Sequence, residues 1–153
     1  MTSSSARLGR IGEQMAARHL ERSGFQILAR NWRPTSPDLR GLRGELDIVA
    51  RDGSTLVFCE VKARRGEGAG GPLVAVTGAK VAQLRRLAGA FLAARSGDAA
   101  VPRAAVRIDV VGVCWPADGG RAVIDHIRDI DDPGAPAEPD PTAPASPDGA
   151  NGR

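Results

Sequence analysis

Two acidic residues and one lysine lie close together in a stretch that the sequence predicts to be a β-hairpin. Residues 44–50 are GELDIVA and residues 55–63 are TLVFCEVKA, and the Arg-Asp-Gly-Ser stretch between them is typical of a turn. Side chains alternate between the two faces of a strand, so Asp47 and Glu60 are expected on one face, with Lys62 one step further along it. This set of groups is suited to binding a divalent cation and to chemistry on a water molecule that the cation binds.

The length of the turn decides whether the two acids meet. A loop of two or four residues around Asp52-Gly53 places the apolar sets of both strands on one face and the acids on the other, and the four-residue loop sets the acids directly opposite. A three-residue loop buries half of the wrong side chains, so packing argues against it. The apolar sets are Leu46, Ile48 and Ala50 in the first strand and Val57, Cys59 and Val61 in the second.

Lysine is rare in this sequence. Of 21 basic side chains only Lys62 and Lys80 are lysine, and the rest are arginine. Lysine carries a compact charge whose pKa shifts readily, whereas the arginine guanidinium stays protonated, and chemistry beside a metal ion needs the former. Glu-x-Lys by itself is common on solvated strands. The nearby Asp47 favours a site over that ordinary surface pattern, because facing acids repel unless a positive group lies between them.

A third acid is predicted on the first helix, which is expected over residues 7–23 with serines upstream as caps and Gly24 at its end. Glu13 shares a helical stripe with small or apolar residues at i+3, i+4 and i+7, namely Ala16, Ala17 and Leu20. Two interpretations stay open. Either the Glu13 carboxylate converges on the acids of the hairpin, or it reaches out to solvent from the edge of the stripe.

The other segments predict an α/β fold of the order αβββαβ, with a mixed central sheet flanked by helices. Besides the hairpin and the first helix, the predicted segments are a strand over 25–32, a loop over 33–43, a Gly-rich loop over 64–72, a helix over 78–95 capped by Thr77, a strand over 104–115 and a short strand or edge segment over 123–127. The Gly-rich loop lacks the spacing of a P-loop and is interpreted as a flap over the site or an inert linker.

Charge divides the chain into two parts. Residues 1–130 hold 20 basic and 13 acidic side chains, a charge of +7, and are predicted to form one domain. Residues 131–153 hold five acids and one arginine and are rich in proline and alanine, which predicts a disordered acidic tail. The basic body is suited to a polyanionic partner such as nucleic acid, although the same charge also serves solubility.

Several classes of protein are disfavoured by composition. Cys59 and Cys114 show no metal-binding spacing and are expected to be free thiols, at least one of them buried. With two histidines in the chain, a metal would be held by carboxylates, which favours Mg²⁺ or Mn²⁺ over zinc. No secretory signal and no apolar run of membrane-spanning length is found, so a cytoplasmic location is expected.

The segments GRIGEQMAARHLERSGFQILARNWR, GELDIVARDGSTLVFCEVKARR and AVTGAK are together similar to the YraN-like family of bacterial proteins. That family resembles archaeal Holliday-junction resolvases and the restriction-endonuclease-like, PD-(D/E)xK fold. The resemblance spans about residues 10–127. Leu46 stands where that motif often has proline, and the loop over 34–43 is longer than the link usual in the family.

The resemblance implies roles for individual residues. Asp47 and Glu60 match the acids of the motif and are expected to bind Mg²⁺ or Mn²⁺ as metal ligands. Glu13 matches the acid that junction resolvases carry on the first helix and is expected to be a further ligand. Lys62 matches the catalytic lysine of the motif. Lys80 opens the second helix, where its ammonium and the free N–H groups of the helix are expected to meet a phosphate.

The expected function is therefore that of a divalent-metal-dependent endonuclease acting on nucleic acid, DNA before RNA, at branched or junction structures. Aromatic residues are few, which favours recognition of duplex shape over base stacking. The alternative is a binding protein that keeps the fold and cuts nothing, and a structural protein is a third reading. The oligomeric state stays open, and symmetrical junction cutting is the one argument for a homodimer. The predicted phosphate-binding residues are Arg10, Arg64, Arg65, Lys80 and Arg86.

Overall fold

The computed structural model describes residues 3–36, 41–66 and 76–131. Within these ranges the chain forms two helices and five strands, in the predicted order with the short fifth strand at the end. They are α1 (Ser4–Arg22), β1 (Gln26–Trp32), β2 (Leu46–Asp52), β3 (Thr55–Arg65), α2 (Gly78–Ala94), β4 (Ala105–Trp115) and β5 (Val123–Ile127).

The five strands form one mixed sheet in the order β1-β2-β3-β4-β5. Strands β1, β2 and β3 are antiparallel neighbours, β3 and β4 are parallel, and β5 is antiparallel to β4. The chain between β3 and β4 contains α2, as parallel neighbours need a long crossover. Two apolar clusters cover the sheet, one built with α1 and one with α2. A mixed α/β fold with flanking helices is thereby confirmed.

Polar side chains set where both helices begin. The Ala6 amide donates to Ser3 Oγ at 3.2 Å, so α1 starts at Ser4, three residues earlier than predicted. The Lys80 amide donates to Thr77 Oγ1 at 3.2 Å, which confirms Thr77 as the cap of α2. The cap places Lys80 in the first turn of α2.

The hairpin closes with the shorter of the two predicted loop lengths. Asp52 pairs with Thr55, which leaves the two-residue turn Gly53-Ser54, and Gly53 has the positive φ of 58° that such a turn favours. The ladder runs to the pair of Ile48 with Cys59, so the next step of this register sets Asp47 opposite Glu60. The prediction that direct opposition needs a four-residue loop was wrong, because the turn lies one residue later than expected.

Leu46 does not share a face with Ile48, contrary to the predicted alternation. It packs in the cluster of α2, whereas Ile48 packs in the cluster of α1. The regular β2–β3 pairs end at Ile48, and beyond them the Asp47 carboxylate accepts the Val61 amide at 2.8 Å. A side chain thus takes the hydrogen bond of a backbone group, and the alternation stops there.

Helix α1 approaches β3 closely at Gly12, one residue before Glu13. A Cβ atom at Gly12 would lie 2.5 Å from the Cβ of Ala63, well inside contact distance. Glycine at this position therefore lets the helix backbone lie directly on the strand that carries Glu60 and Lys62. This contact fixes the height of Glu13 above the sheet.

Gly12→Ala is expected to destabilise the protein by about 1–3 kcal/mol, because the added methyl group pushes α1 away from Ala63. The matched control is Gly89→Ala in α2, where nothing lies within 4 Å of the added Cβ. That change should stabilise by about 0.5–1 kcal/mol, since alanine is the better helix former. Urea unfolding of both variants measures the difference. If both substitutions changed the free energy of unfolding equally and in the same direction, the close approach of α1 to Ala63 would be unimportant for stability.

A buried polar network joins β4, β5 and the end of the described chain. The fully buried Asp109 accepts hydrogen bonds from Arg107 Nε at 2.8 Å, His126 Nε2 at 2.9 Å and the Asp129 amide at 3.0 Å. The other ring nitrogen of His126 lies 3.3 Å from Nε2 of His19 on α1. Both carboxylate oxygens of Asp109 therefore have partners.

Some predictions fall outside the described residues. These are the acidic tail from residue 132 onward, most of the Gly-rich loop and positions 37–40 of the loop before β2. Cys59 and Cys114 are free, and Cys59 is buried, as predicted. Neither helix of the described ranges combines the length and apolarity needed to cross a membrane.

Candidate active site

Asp47 and Glu60 lie next to each other where β2 and β3 leave their regular pairing. Asp47 is partly buried, and Glu60 is 4% exposed. Burial raises the pKa of Asp47 to about 7, and the Glu60 charge adds to the rise, while the hydrogen bond from the Val61 amide opposes it. The two acids are therefore close enough for their charges to repel each other.

Both lysines of the chain bind the same oxygen of Glu60. The Nζ atom of Lys62 lies 3.1 Å from Glu60 Oε1, and that of Lys80 lies 3.4 Å from it. The second oxygen, Oε2, is buried and has no hydrogen-bond partner among the described residues. An unpaired buried carboxylate oxygen is costly, so a positive group bound to this atom would be stabilising.

Glu13 is directed toward the hairpin acids, which settles its orientation. Glu13 is partly buried. Its charge also raises the pKa of Asp47, although by less than burial and the Glu60 charge do. Asn31 Nδ2 donates to Glu13 Oε2 at 2.9 Å, from a backbone position with a φ of 48°. A left-handed asparagine at the end of β1 thus holds the carboxylate in place.

Glu45 belongs to the same acidic group, although it was not predicted as a site residue. One carboxylate oxygen each of Glu13, Glu45 and Asp47 lies within 4.8 Å of the others. Glu45 also binds Arg33, with Nε at 2.9 Å and the terminal nitrogen at 2.7 Å. Its signal in the sequence was its position two residues before Asp47, on the same face of the extended chain.

The donor set fits a hard divalent cation. The clustered groups are carboxylates, the ligands that Mg²⁺ and Mn²⁺ prefer, and histidine and cysteine are not among them. Glu60, whose charge acts on Asp47, adds an oxygen that has no hydrogen-bond partner among the described residues. The predicted ligands Asp47, Glu60 and Glu13 are thus near one another, but the tightest group has Glu45 where Glu60 was expected. The ligand set stays a prediction.

A groove of about 590 Å³ lies beside the acids, between the start of α2 and the segment before β2. Lys80 joins the two regions, since it lines the groove and binds Glu60. Predicted Arg86 also lines it, and so do two residues that sequence reasoning missed, Arg43 and Gln83. Gln83 Nε2 donates to the Arg43 carbonyl at 2.7 Å, so the two walls are linked. The remaining lining residues are Gly41, Leu42, Thr77 and Ala79.

Three predicted phosphate-binding residues lie elsewhere. Arg64 and Arg65 are exposed at the end of β3, beyond Lys62 on the same strand. Arg10 is exposed on α1, one helical turn before Glu13. None of these three arginines lines the groove. Their positions near the acids in sequence are compatible with contacts to a long substrate, and their roles stay predictions.

Comparison with known proteins confirms the family resemblance. The model of the "Uncharacterised protein family UPF0102" matches residues 12–113. A UPF0102 protein of Parafrankia sp. is 51% identical over 124 residues, which cover 81% of this chain and 95% of the relative. A UPF0102 protein of Acidothermus cellulolyticus is 48% identical over 127 residues, covering 79% and 90%. One of Streptomyces coelicolor is 46% identical over 123 residues, covering 80% and 87%.

Proposed function

Because the chain belongs to the family UPF0102, whose description names no activity, we propose a function from its own side chains. It is a divalent-metal-dependent endonuclease with a restriction-endonuclease-like fold that hydrolyses DNA phosphodiesters, at branched or junction structures in particular. One observation carries the proposal. The acids Asp47 and Glu60 adjoin each other with Lys62 3.1 Å from Glu60, and the buried Glu60 Oε2 has no hydrogen-bond partner in the described part of the chain.

The residues of the site would have separate roles in hydrolysis. Asp47, with Glu60, Glu13 and Glu45, would hold Mg²⁺ or Mn²⁺. The bound ion supplies a polarised water and neutralises charge on the phosphate. Lys62 would turn from Glu60 to stabilise the negative charge that develops as the bond to the leaving oxygen breaks. The Val61 amide and Asn31 keep the carboxylates of Asp47 and Glu13 oriented.

Substrate binding would rely on the phosphate backbone. Lys80, Arg86 and Arg43 line the groove, and Lys80 also binds Glu60, so a strand bound there would pass close to the acids. Arg10, Arg64 and Arg65 would bind phosphates further out. Cutting two strands of a junction needs two such sites, which a homodimer would provide.

A second candidate function is binding of nucleic acid without cleavage. The observation that favours it is the pairing of Glu60 with two lysines, because this carboxylate is balanced by charge before any cation binds. A protein that used the acids only to position Lys62 and Lys80 for phosphate contact would look the same at this point. The crowding of Asp47 favours the metal-binding function, because burial and the charges of Glu60 and Glu13 raise its pKa to about 7 despite the opposing Val61 amide and Lys80 charge.

Cleavage of labelled linear, flap and four-way-junction DNA in Mg²⁺ or Mn²⁺ tests the proposal. The native protein is expected to cut, and Asp47→Ala/Lys62→Ala should lower the rate by at least about 100-fold, since both the ion and the charge stabilisation are lost. The control is Asp125→Ala/Arg121→Ala, a matched pair of exposed residues on or near β5. Salt-sensitive binding without cleavage by the native protein would support the binding function, and absence of binding at low salt would reject both.

A further inference from the structure

The groove lined by Lys80, Arg86 and Arg43, called the basic groove from here on, carries positive charge that the described part of the chain does not balance. The ion pairs within residues 3–36, 41–66 and 76–131 include Lys80 with Glu60, but neither Arg43 nor Arg86 takes part in one. Both arginines are exposed at the rim of the groove. The groove is therefore suited to a flexible acidic occupant as well as to a nucleic acid.

The chain returns to α2 before it leaves the described region. The Ile130 amide donates to the Ile108 carbonyl at 2.9 Å, and Ile130 packs against the cluster that contains α2. Asp131 then pairs with Arg85 of α2, whose Nε lies 2.9 Å from Asp131 Oδ2. The segment that begins at residue 132 thus starts beside the helix that forms one wall of the groove.

The distance from this point to the groove is short for the segment that follows. Arg85 and Arg86 are consecutive, so their side chains leave the helix about 100° apart, and a helix with its side chains is about 10–12 Å wide. An extended chain covers about 3.3 Å per residue, so roughly four residues cross that width. Glu138 and Asp140 lie seven and nine residues after Asp131.

We propose that the segment of residues 132–153 occupies the basic groove, with Glu138 and Asp140 facing Arg86 and Arg43. The segment holds four acids, Asp132, Glu138, Asp140 and Asp148, against the single Arg153. Because the segment is tethered, even weak pairing is sustained by an effective concentration in the millimolar range. The contact itself does not depend on nuclease activity. Its consequence, competition with a polyanionic substrate, rests on the proposed function.

Amide resonances of the full chain test the contact without nucleic acid. In the variant Asp132→Asn/Glu138→Gln/Asp140→Asn, residues 41–43 and 77–86 should shift relative to the native protein at 20 mM NaCl. The same resonances of the native protein should move in that direction when NaCl is raised to 500 mM. The control variant Glu21→Gln/Asp118→Asn/Asp125→Asn changes the charge equally at exposed positions and should leave them unmoved. Shifts confined to residues 128–153 would overturn the proposal.

Binding of a 30-base-pair duplex then measures competition. At low salt the tail variant should bind about fivefold more tightly than the native chain, and the control variant less than about twofold, because only the former empties the groove. Equal gains by both variants would mean that net charge alone acts and would refute competition in the groove. If neither the native protein nor either variant binds the duplex, the proposed function is wrong. The resonance shifts would still show whether the tail contacts the groove.

Discussion

Asp47→Asn is expected to stabilise the metal-free protein at pH 8, although it removes a central residue of the site. The pKa of Asp47 is raised to about 7 by burial first and by Glu60 second, so the folded protein holds this carboxyl group protonated more readily than the unfolded chain does. Asparagine keeps an oxygen for the Val61 amide and carries no charge. The gain at pH 8 should be on the order of 2–4 kcal/mol.

The gain should depend on pH in a defined direction. Well below pH 3.8, the ordinary pKa of an aspartate, Asp47 is protonated in both states, so the native protein and the variant should be equally stable with respect to this group. As the pH rises toward 7 the unfolded chain loses this proton first, so the native protein loses stability through this window and the variant does not. Above pH 7 the difference should be constant.

Divalent cations should make the native protein more stable than Asp47→Asn, which reverses the order expected without metal. Mn²⁺ at pH 8 would stabilise the native protein by binding only its folded state, and it should stabilise Asp47→Asn much less. Thermal and urea unfolding at pH 5 and pH 8, in EDTA and in Mn²⁺, measure all four conditions. The control is Asp118→Asn, an exposed carboxylate far from the acids in sequence, which should show neither effect. A pH-independent difference would disprove the charge-crowding argument.

Strand periodicity was sufficient to predict the pairing of the acids, because a period of two residues leaves few alternatives once one face is apolar. It brought together Asp47, Glu60 and Lys62 in the correct order along β2 and β3. Its error was local. At Asp47 a side chain replaces a backbone partner, so Leu46 turns to the other cluster, and no residue pattern announces such a break.

Contacts between distant segments were the part that sequence reasoning could not supply. Lys80 and Lys62 are 18 positions apart, and their meeting on one oxygen of Glu60 depends on how α2 docks on the sheet. Arg43 joins the groove because Gln83 holds its carbonyl. Such placements follow from tertiary packing, which composition and spacing do not encode in any single segment.

Two acids of the sheet, the partly buried Asp47 and the fully buried Asp109, have opposite electrostatic surroundings. Asp47 is crowded by other carboxylates, and its pKa is raised. For Asp109, burial alone would raise the pKa, but hydrogen bonds from His126 and Arg107 outweigh it and lower the pKa below the ordinary value. A carboxylate whose charge is fully paired serves the stability of the fold, whereas one left crowded is ready for a ligand.

Asp109→Asn should therefore destabilise the protein strongly, by about 3–5 kcal/mol at pH 7, because Arg107 and His126 lose the charge that they surround. The pKa of Asp109 is lowered, so its stabilisation is present above the ordinary aspartate pKa and is lost as the pH falls through that range. The loss caused by the substitution should shrink toward pH 3, the opposite trend to Asp47→Asn, and urea unfolding from pH 7 downward measures it. Asp125→Asn, on the exposed side of β5, should change stability by less than about 0.5 kcal/mol throughout. If Asp109→Asn were equally mild, the network would be a consequence of packing and not a cause of stability.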